Sequence, residues 1–370
     1  MPLRTASAVS TLARWLGPWA AGSTPRGVTR ELVPIAATAR AARTVAASPS
    51  ARSAWAYVYA PPSPRGVYLV LPGLHFLGPD DPRLDRFCRV LARAGFLVVA
   101  PFIRAYGDLL LDASAFDDAR TALELAKARA AGLGLPRPAV FSISFGSALA
   151  LELATLTEGG PSRVVVFGGF CEFLPTVRFA LTGRADHDGV VHTIARDPLN
   201  SPVVFLNALH ALDLGGDRAL LAAAWRQMVY RTWGKMELKA PGARDAHAHA
   251  VAAELPPELR GPFYRGCMLE EGGLAWLEDA LARDAGELFA FDPGDRLARA
   301  ACPVSLVHGR EDDVIPYFET LKLAAALPAS RLDAVHVTGL FSHTAAERPT
   351  ARALAAEART MIGMLLTLAG

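Results

Sequence analysis

Long apolar runs are missing from this sequence. No stretch approaches the roughly 18 to 20 uninterrupted apolar residues that cross a bilayer as a helix. Arg14 interrupts the first apolar stretch, and Gly17-Pro18 breaks the next. An excess of one charge is missing too: lysine and arginine total 38 against 36 acids, and a net charge of +2 gives no electrostatic case for nucleic acid as a partner. Cysteine is scarce. Cys88, Cys171, Cys267 and Cys302 are far apart and form no CxxC pair, so neither a zinc site nor a redox pair is implied. Thiols so placed read as buried and free, and a reducing, cytoplasmic compartment fits them best. No Walker A or dinucleotide glycine fingerprint occurs, which removes nucleotide cofactors as a default, and no internal repeat is found. The reading includes no cofactor and no metal. His247 and His249 (AHAHA) are spaced like metal ligands on a strand, but the pattern around them is helical and lacks acidic or cysteine company. They read as surface residues, as does His210.

What is present describes a globular chain. At 370 residues, 52% hydrophobic and 20% charged, it can bury a sizeable core and is long enough for one large domain with an insertion. Residues 1–53 carry seven arginines against one acid, Glu31. They read as a basic, helical N-terminal extension, frayed or packed on the surface, in preference to an export signal or membrane anchor; membrane-surface contact through residues 1–50 is a compatible alternative.

From about Ser53 the pattern is regular. Residues 54–60 (AWAYVYA) and 67–72 (VYLVLP) are β-rich runs either side of PPSPRG, which predicts a hairpin. Residues 82–94 place Leu84, Phe87, Leu91 and Ala92 on one helical face, with Asp81 as N-cap before Pro82. A strand at 96–100, a helix at 114–132, a strand at 138–143, a helix from Ser144 and a strand at 163–168 follow. The alternation resumes with a strand at 303–308, a helix near 317–327, a strand at 332–338 and a last helix at about 345–368. Near-continuous apolar strands alternating with helices predict an α/β protein, with a mostly parallel central sheet covered by helices on both faces. The expected organisation is a core of 54–170 and 301–370, with 171–300 inserted as an aromatic-rich helical cap.

Three places carry chemistry. Ser142-Ile143-Ser144-Phe145-Gly146 lies between an apolar strand and an alanine-rich helix. A serine nucleophile held on a sharp strand-to-helix turn needs small residues two before and two after it, here Ser142 and Gly146. Alternatively Ser144 only caps its helix. In VSLVHGREDDVIP (304–316) a strand ends and a loop offers Asp312, with Asp313 beside it as the alternative acid and Glu172, just after the strand ending at Gly168, as a third. Ligands bind at that sheet edge in open α/β folds. His343 follows the last strand and would open on the same edge as general base, whereas His336 sits inside the strand and reads as structural. Backbone N–H of Phe145 and of Leu74, which follows the permissive Gly73, are the candidate oxyanion donors; His75 would line the pocket.

Together LPGL (71–74), SISFG (142–146) and HGREDDVIP (308–316), with LARAGFLVVAP (91–101), resemble the α/β-hydrolase superfamily over about residues 54–170 and 302–368. The resemblance implies an eight-stranded, mostly parallel sheet with a cap inserted after the sixth strand, and a triad in the order Ser144, Asp312, His343. The chain departs from the pattern at Ser142, where glycine is usual, and at Pro72, where histidine is frequent.

The function expected is hydrolysis of a carboxylic ester or related acyl bond, the partner being a small-molecule acyl ester with a hydrophobic portion. Thioester, amide or peptide cleavage and acyl transfer would use the same triad. A non-catalytic member that binds ligand or protein through the cap is the alternative outside enzymology.

Overall fold

Ten strands alternate with helices in the computed structural model, which describes residues 3–16, 23–35, 54–339 and 351–370. The strands are β1 (Thr29–Pro34), β2 (Trp55–Ala60), β3 (Gly66–Leu71), β4 (Phe96–Pro101), β5 (Ala139–Ile143), β6 (Val164–Phe167), β7 (Arg184–His187), β8 (Val190–Thr193), β9 (Val304–Gly309) and β10 (Leu332–Thr338). Eight of them form one sheet in the order β1-β2-β4-β3-β5-β6-β9-β10, and β7 and β8 form a separate hairpin. From β4 to β10 all neighbours are parallel; β2 runs antiparallel to β4, and β1 antiparallel to β2.

The central strands carry apolar side chains on both faces, because each face is roofed by helices. Val67, Leu69 and Leu71 point into one core with Val99, Val140, Val166 and Leu306, while Tyr68, Val70, Val98, Phe141 and Val165 point into the other. Helices 114–132, 146–154 and 318–326 cover the first face with Leu123, Leu149 and Leu323. Helices 3–16, 82–93 and 351–369 cover the second with Leu12, Leu91 and Leu368. Asp81 caps the second of these, its side chain accepting from the Arg83 N–H at 2.8 Å. The N-terminal helix is held by burial of Ala8 and Leu12 against the second core. A fully buried leucine contributes about 2 kcal/mol.

Between β6 and β9 the chain leaves the sheet for the hairpin and six helices, 173–182, 201–208, 218–232, 245–253, 257–266 and 273–283. Asp217 caps the longest of them, accepting from the N–H groups of Ala219 and Leu220. Trp225, Phe205 and Phe263 are wholly buried there, so most of the insert's aromatic content is its own core, continuous with the first face of the sheet. All four cysteines are free and buried. His249 is exposed and meets the Tyr264 ring edge-on. Among the described residues no cluster of three or more candidate ligands could hold a metal ion, and no helix is long and apolar enough to cross a membrane.

Three expectations need correction. β2 and β3 do not form a hairpin: β4 lies between them. β3 is buried along nearly its whole length and needs a neighbour on each side, which β4 and β5 supply through helical crossovers. Residues 1–53 are not helical throughout, since β1 adds an edge strand at 29–34. Only Val33 of that strand is buried, so the alternation that would announce it is faint. The insert is not helical throughout either, because β7 and β8 pair at 184–187 and 190–193.

Candidate active site

β5 ends at Ile143 and helix 146–154 begins two residues after Ser144. Turning that sharply forces Ser144 to φ +52°, the left-handed region that L-residues avoid. The turn is over-determined by its surroundings. Ser144 N–H donates to the Phe167 carbonyl at 2.9 Å, and its carbonyl accepts from Ser147 N–H at 2.9 Å. A Cβ on Gly146 would lie 2.4 Å from the Pro72 carbonyl oxygen, so only glycine lets the loop after β3 pack over the helix start. Ser142 is fully buried behind the turn, small enough to fit where glycine is usual.

The loop after β3 touches the serine itself. A Cβ on Gly73 would sit 3.3 Å from Ser144 Cβ and 3.2 Å from the Ile143 carbonyl oxygen. This close approach puts Leu74 beside Ser144, and both line one cavity with Phe145. No acceptor among the described residues takes the N–H of Leu74 or of Phe145. The Phe145 carbonyl is held by the buried Tyr106 hydroxyl at 2.9 Å.

Asp312 follows β9 at the same sheet edge. Its Oδ1 accepts from the N–H groups of Val314 and Ile315, both at 2.9 Å. Its Oδ2 lies against Gly168, whose added Cβ would be 3.3 Å away. Gly168 directly follows Phe167, the residue that holds Ser144 N–H. Burial pushes the Asp312 carboxyl up, while the N–H donors of Ile315 and Val314 pull it down. His308 is the strut beneath this loop. Its Nε2–H donates to the Ile315 carbonyl at 2.9 Å, and its Nδ1 accepts from the Thr320 hydroxyl at 2.6 Å. Burial lowers the His308 pKa and keeps the imidazole neutral, as those roles require. Asp313 points elsewhere and pairs with Lys239 of the insert at 2.6 Å. Lys239 also meets Asp197 at 2.9 Å.

β10 reaches the same edge at Thr338, which is paired with Gly309. Glu357 of the last helix fixes that end, accepting from the Thr338 hydroxyl at 2.7 Å and from Gly339 N–H at 3.0 Å. His343 lies outside the described residues. His336 packs under the last helix, its Nε2 3.2 Å from the Thr367 hydroxyl. His75 stacks on Phe76 at 4.7 Å and on Trp233 at 5.3 Å, joining the loop after β3 to the insert. Its Nδ1 accepts from Leu77 N–H at 3.2 Å, and burial lowers its pKa.

The cavity beside Ser144 measures about 80 Å³. Leu74, Ser144, Phe145 and Val314 line it from the core, and Phe173, Val177, Val203 and Trp233 from the insert. The insert therefore covers the serine on the side of this cavity. Sequence reasoning missed Tyr106, His308 and Trp233 as supports. His308 carried a signal, standing four residues before Asp312, but a buried histidine and a surface one look alike in a sequence.

No family model and no curated protein matches the chain. Solved structures do. A candidate hydrolase from Legionella pneumophila, 13% identical, superposes with a TM-score of 0.50 over 99% of this chain and 94% of its own. The esterase domain of a Rhodothermus marinus protein is 13% identical, with a TM-score of 0.38 over 85% of this chain and 90% of its own. The acylaminoacyl peptidase of Pyrococcus horikoshii is 10% identical, with a TM-score of 0.42 over 84% of this chain; the chain spans only 38% of that protein's length. Identities this low speak to fold and not to reaction. The strand order and the end-to-end likeness to the Legionella structure agree, and the chain has the α/β-hydrolase fold.

Proposed function

We propose that the chain is a serine hydrolase that cleaves a carboxylic ester or related acyl bond through an acyl-enzyme on Ser144. The observation that carries this reading is the left-handed backbone of Ser144 at the end of β5, beside the Gly73–Leu74 loop. Strain of this kind costs about 1 to 3 kcal/mol and clusters at functional sites. A serine that merely caps a helix has extended backbone and needs no such turn.

In the proposed reaction Ser144 Oγ attacks the carbonyl carbon while His343 takes the hydroxyl proton. Asp312 fixes the imidazole orientation and stabilises its charged form. The N–H groups of Leu74 and Phe145 receive the oxygen as its charge develops. The tetrahedral species collapses, the C–O bond to the alcohol breaks, and His343 returns the proton to the leaving oxygen. Water then repeats the sequence on the acyl-enzyme, releasing the acid and Ser144. Thioesters, amides and acyl transfer would engage the same atoms with a different leaving group or acceptor.

Hydrolysis of short nitrophenyl esters tests the assignment. Ser144→Ala and His343→Ala are each expected to lower kcat by about 10³-fold or more, and Asp312→Asn by at least about 10²-fold. Asp313→Asn should stay within a few-fold of wild type, because that carboxylate is occupied by Lys239. A large loss in Asp313→Asn with an unaffected Asp312→Asn would transfer the acid's role to Asp313.

A further inference from the structure

Besides the serine, three polar side chains line the cavity at Ser144: Thr176, Asn200 and Asn207. Two of them are committed to the fold. The Thr176 hydroxyl donates to the Glu172 carbonyl at 2.8 Å. Asn207 Oδ1 accepts from Leu111 N–H at 2.6 Å, and its Nδ2 donates to the carbonyls of Leu109 and Val203, both at 2.9 Å. Asn200 differs. Its Nδ2 is closed off from solvent and meets no acceptor among the described residues.

A buried amide without a partner is among the rarer and costlier features of a folded protein. Looseness of the segment does not explain this one. Asn200 ends the short turn Pro198–Asn200 that leads into helix 201–208. The Trp233 indole N–H donates to the Leu199 carbonyl at 3.0 Å, and the Arg244 guanidinium donates to the Pro198 carbonyl. Asp197 holds Leu199 N–H at 2.9 Å and pairs with Lys239 at 2.9 Å. The backbone is fastened from several sides while the side chain at its end keeps an unspent donor.

We propose that Asn200 is a specificity-determining residue: it hydrogen-bonds an oxygen, hydroxyl or carbonyl, carried by the short substrate group that fills this cavity. The inference rests on Ser144 being the nucleophile and narrows the substrate class. Length follows from volume. About 80 Å³ holds only a few heavy atoms, far below the roughly 300 to 1,000 Å³ of drug-sized ligand sites. Chemistry follows from the lining, where Leu74, Val177, Val203 and Trp233 offer carbon contact and Asn200 offers a side-chain amide nitrogen with no partner among the described residues. Its Nδ2 makes no hydrogen bond among the described residues, so a half-turn about the last side-chain bond, which exchanges N and O, breaks no bond to that nitrogen and moves no backbone. A site built to bond a polar group rejects the analogue that lacks it, because its own buried group is then left unpaired.

The test compares kcat/KM for ester pairs in which one member carries a hydroxyl that the other lacks. For the acyl side the pair is nitrophenyl 3-hydroxybutyrate and nitrophenyl butyrate; for the alcohol side it is 2-hydroxyethyl and propyl acetate. Wild type should favour the oxygenated member of one pair by about tenfold, which tells which half of the ester occupies the cavity. In Asn200→Leu that preference should fall to near one. The free Asn200→Leu protein should melt at or above the wild-type temperature, since no bond within the fold is lost. Equal rates within both pairs in wild type, with Ser144 still labelled by a fluorophosphonate, would overturn the role of Asn200 and leave the serine assignment standing. A melting temperature several degrees lower in Asn200→Leu would also overturn it, by showing that the amide serves the fold. Absence of both turnover and labelling would defeat the two readings together.

Discussion

Left-handed backbone at an L-residue costs about 1 to 2 kcal/mol, and Ser144 bears that cost where the chain turns from β5 into its helix. Glycine adopts the same φ without penalty. Ser144→Gly is therefore expected to raise stability by about 1 kcal/mol in chemical denaturation while abolishing turnover, a trade that a structural serine would not make. Gly146→Ala should do the reverse. Its methyl group would stand 2.4 Å from the Pro72 carbonyl oxygen, so loop and helix must separate. A loss of more than about 2 kcal/mol together with activity is expected. Asn207→Ala leaves the Leu111 N–H and the Leu109 carbonyl buried without their partner, and should cost about 2 to 3 kcal/mol in the same measurement. The sharp turn at Ser144 and the close approach of Gly73 were legible at this scale. A small residue on each side of Ser144, a glycine before Leu74 and an acid after β9 are local requirements, and local requirements leave marks on a sequence. Asn200 left none, because what distinguishes it from Asn207 is the lack of an acceptor among the described residues elsewhere in the chain.

Among the elements, helix 173–182 matters most to the cavity, since Phe173, Thr176, Val177 and Ala180 form one wall of it. Its first N–H, from Phe173, is held by the Asp292 carboxylate. Burial pushes Asp292 up to about 6 from its ordinary value of 3.8, and the Phe173 N–H only partly offsets this. Between those two values the folded chain holds a proton that the unfolded chain releases. Its stability contribution thus declines as pH rises through that window. Melting curves between about pH 4 and pH 6.5 should show a smaller decline in Asp292→Asn than in wild type; an identical slope would contradict the raised carboxyl. Element bounds were read well for helix 114–132 and for β10 at 332–338. Pairing was read less well. PPSPRG has the composition of a hairpin turn and equally that of a loop between strands that do not touch, and only the burial of β3 on both sides separates the two.

For the molecule as a whole, the sheet and the insert share one hydrophobic core, so loss of the insert's packing should be felt at Ser144. The four thiols report on that integrity. All are buried, and burial pushes Cys171 and Cys267 up to about 12 and Cys302 up to about 11, and raises Cys88 as well. In the native protein they should resist a thiol-specific reagent such as dithionitrobenzoate and react together on unfolding, with a melting temperature indifferent to reductant. Reaction of one or two thiols under native conditions would contradict the packing described. Alternating strands and helices made the fold class legible across the whole chain. The shape and size of the cavity were not, because they depend on how the insert settles over the sheet edge.

The central claim is that Ser144 is an activated nucleophile. Treatment of the folded chain with a fluorophosphonate, followed by intact mass and peptide mapping, tests it most directly. One adduct on the peptide containing Ser144, lost in Ser144→Ala and in the heat-unfolded chain, is the predicted result. An adduct that persists in Ser144→Ala, or a folded chain that takes none, would contradict it.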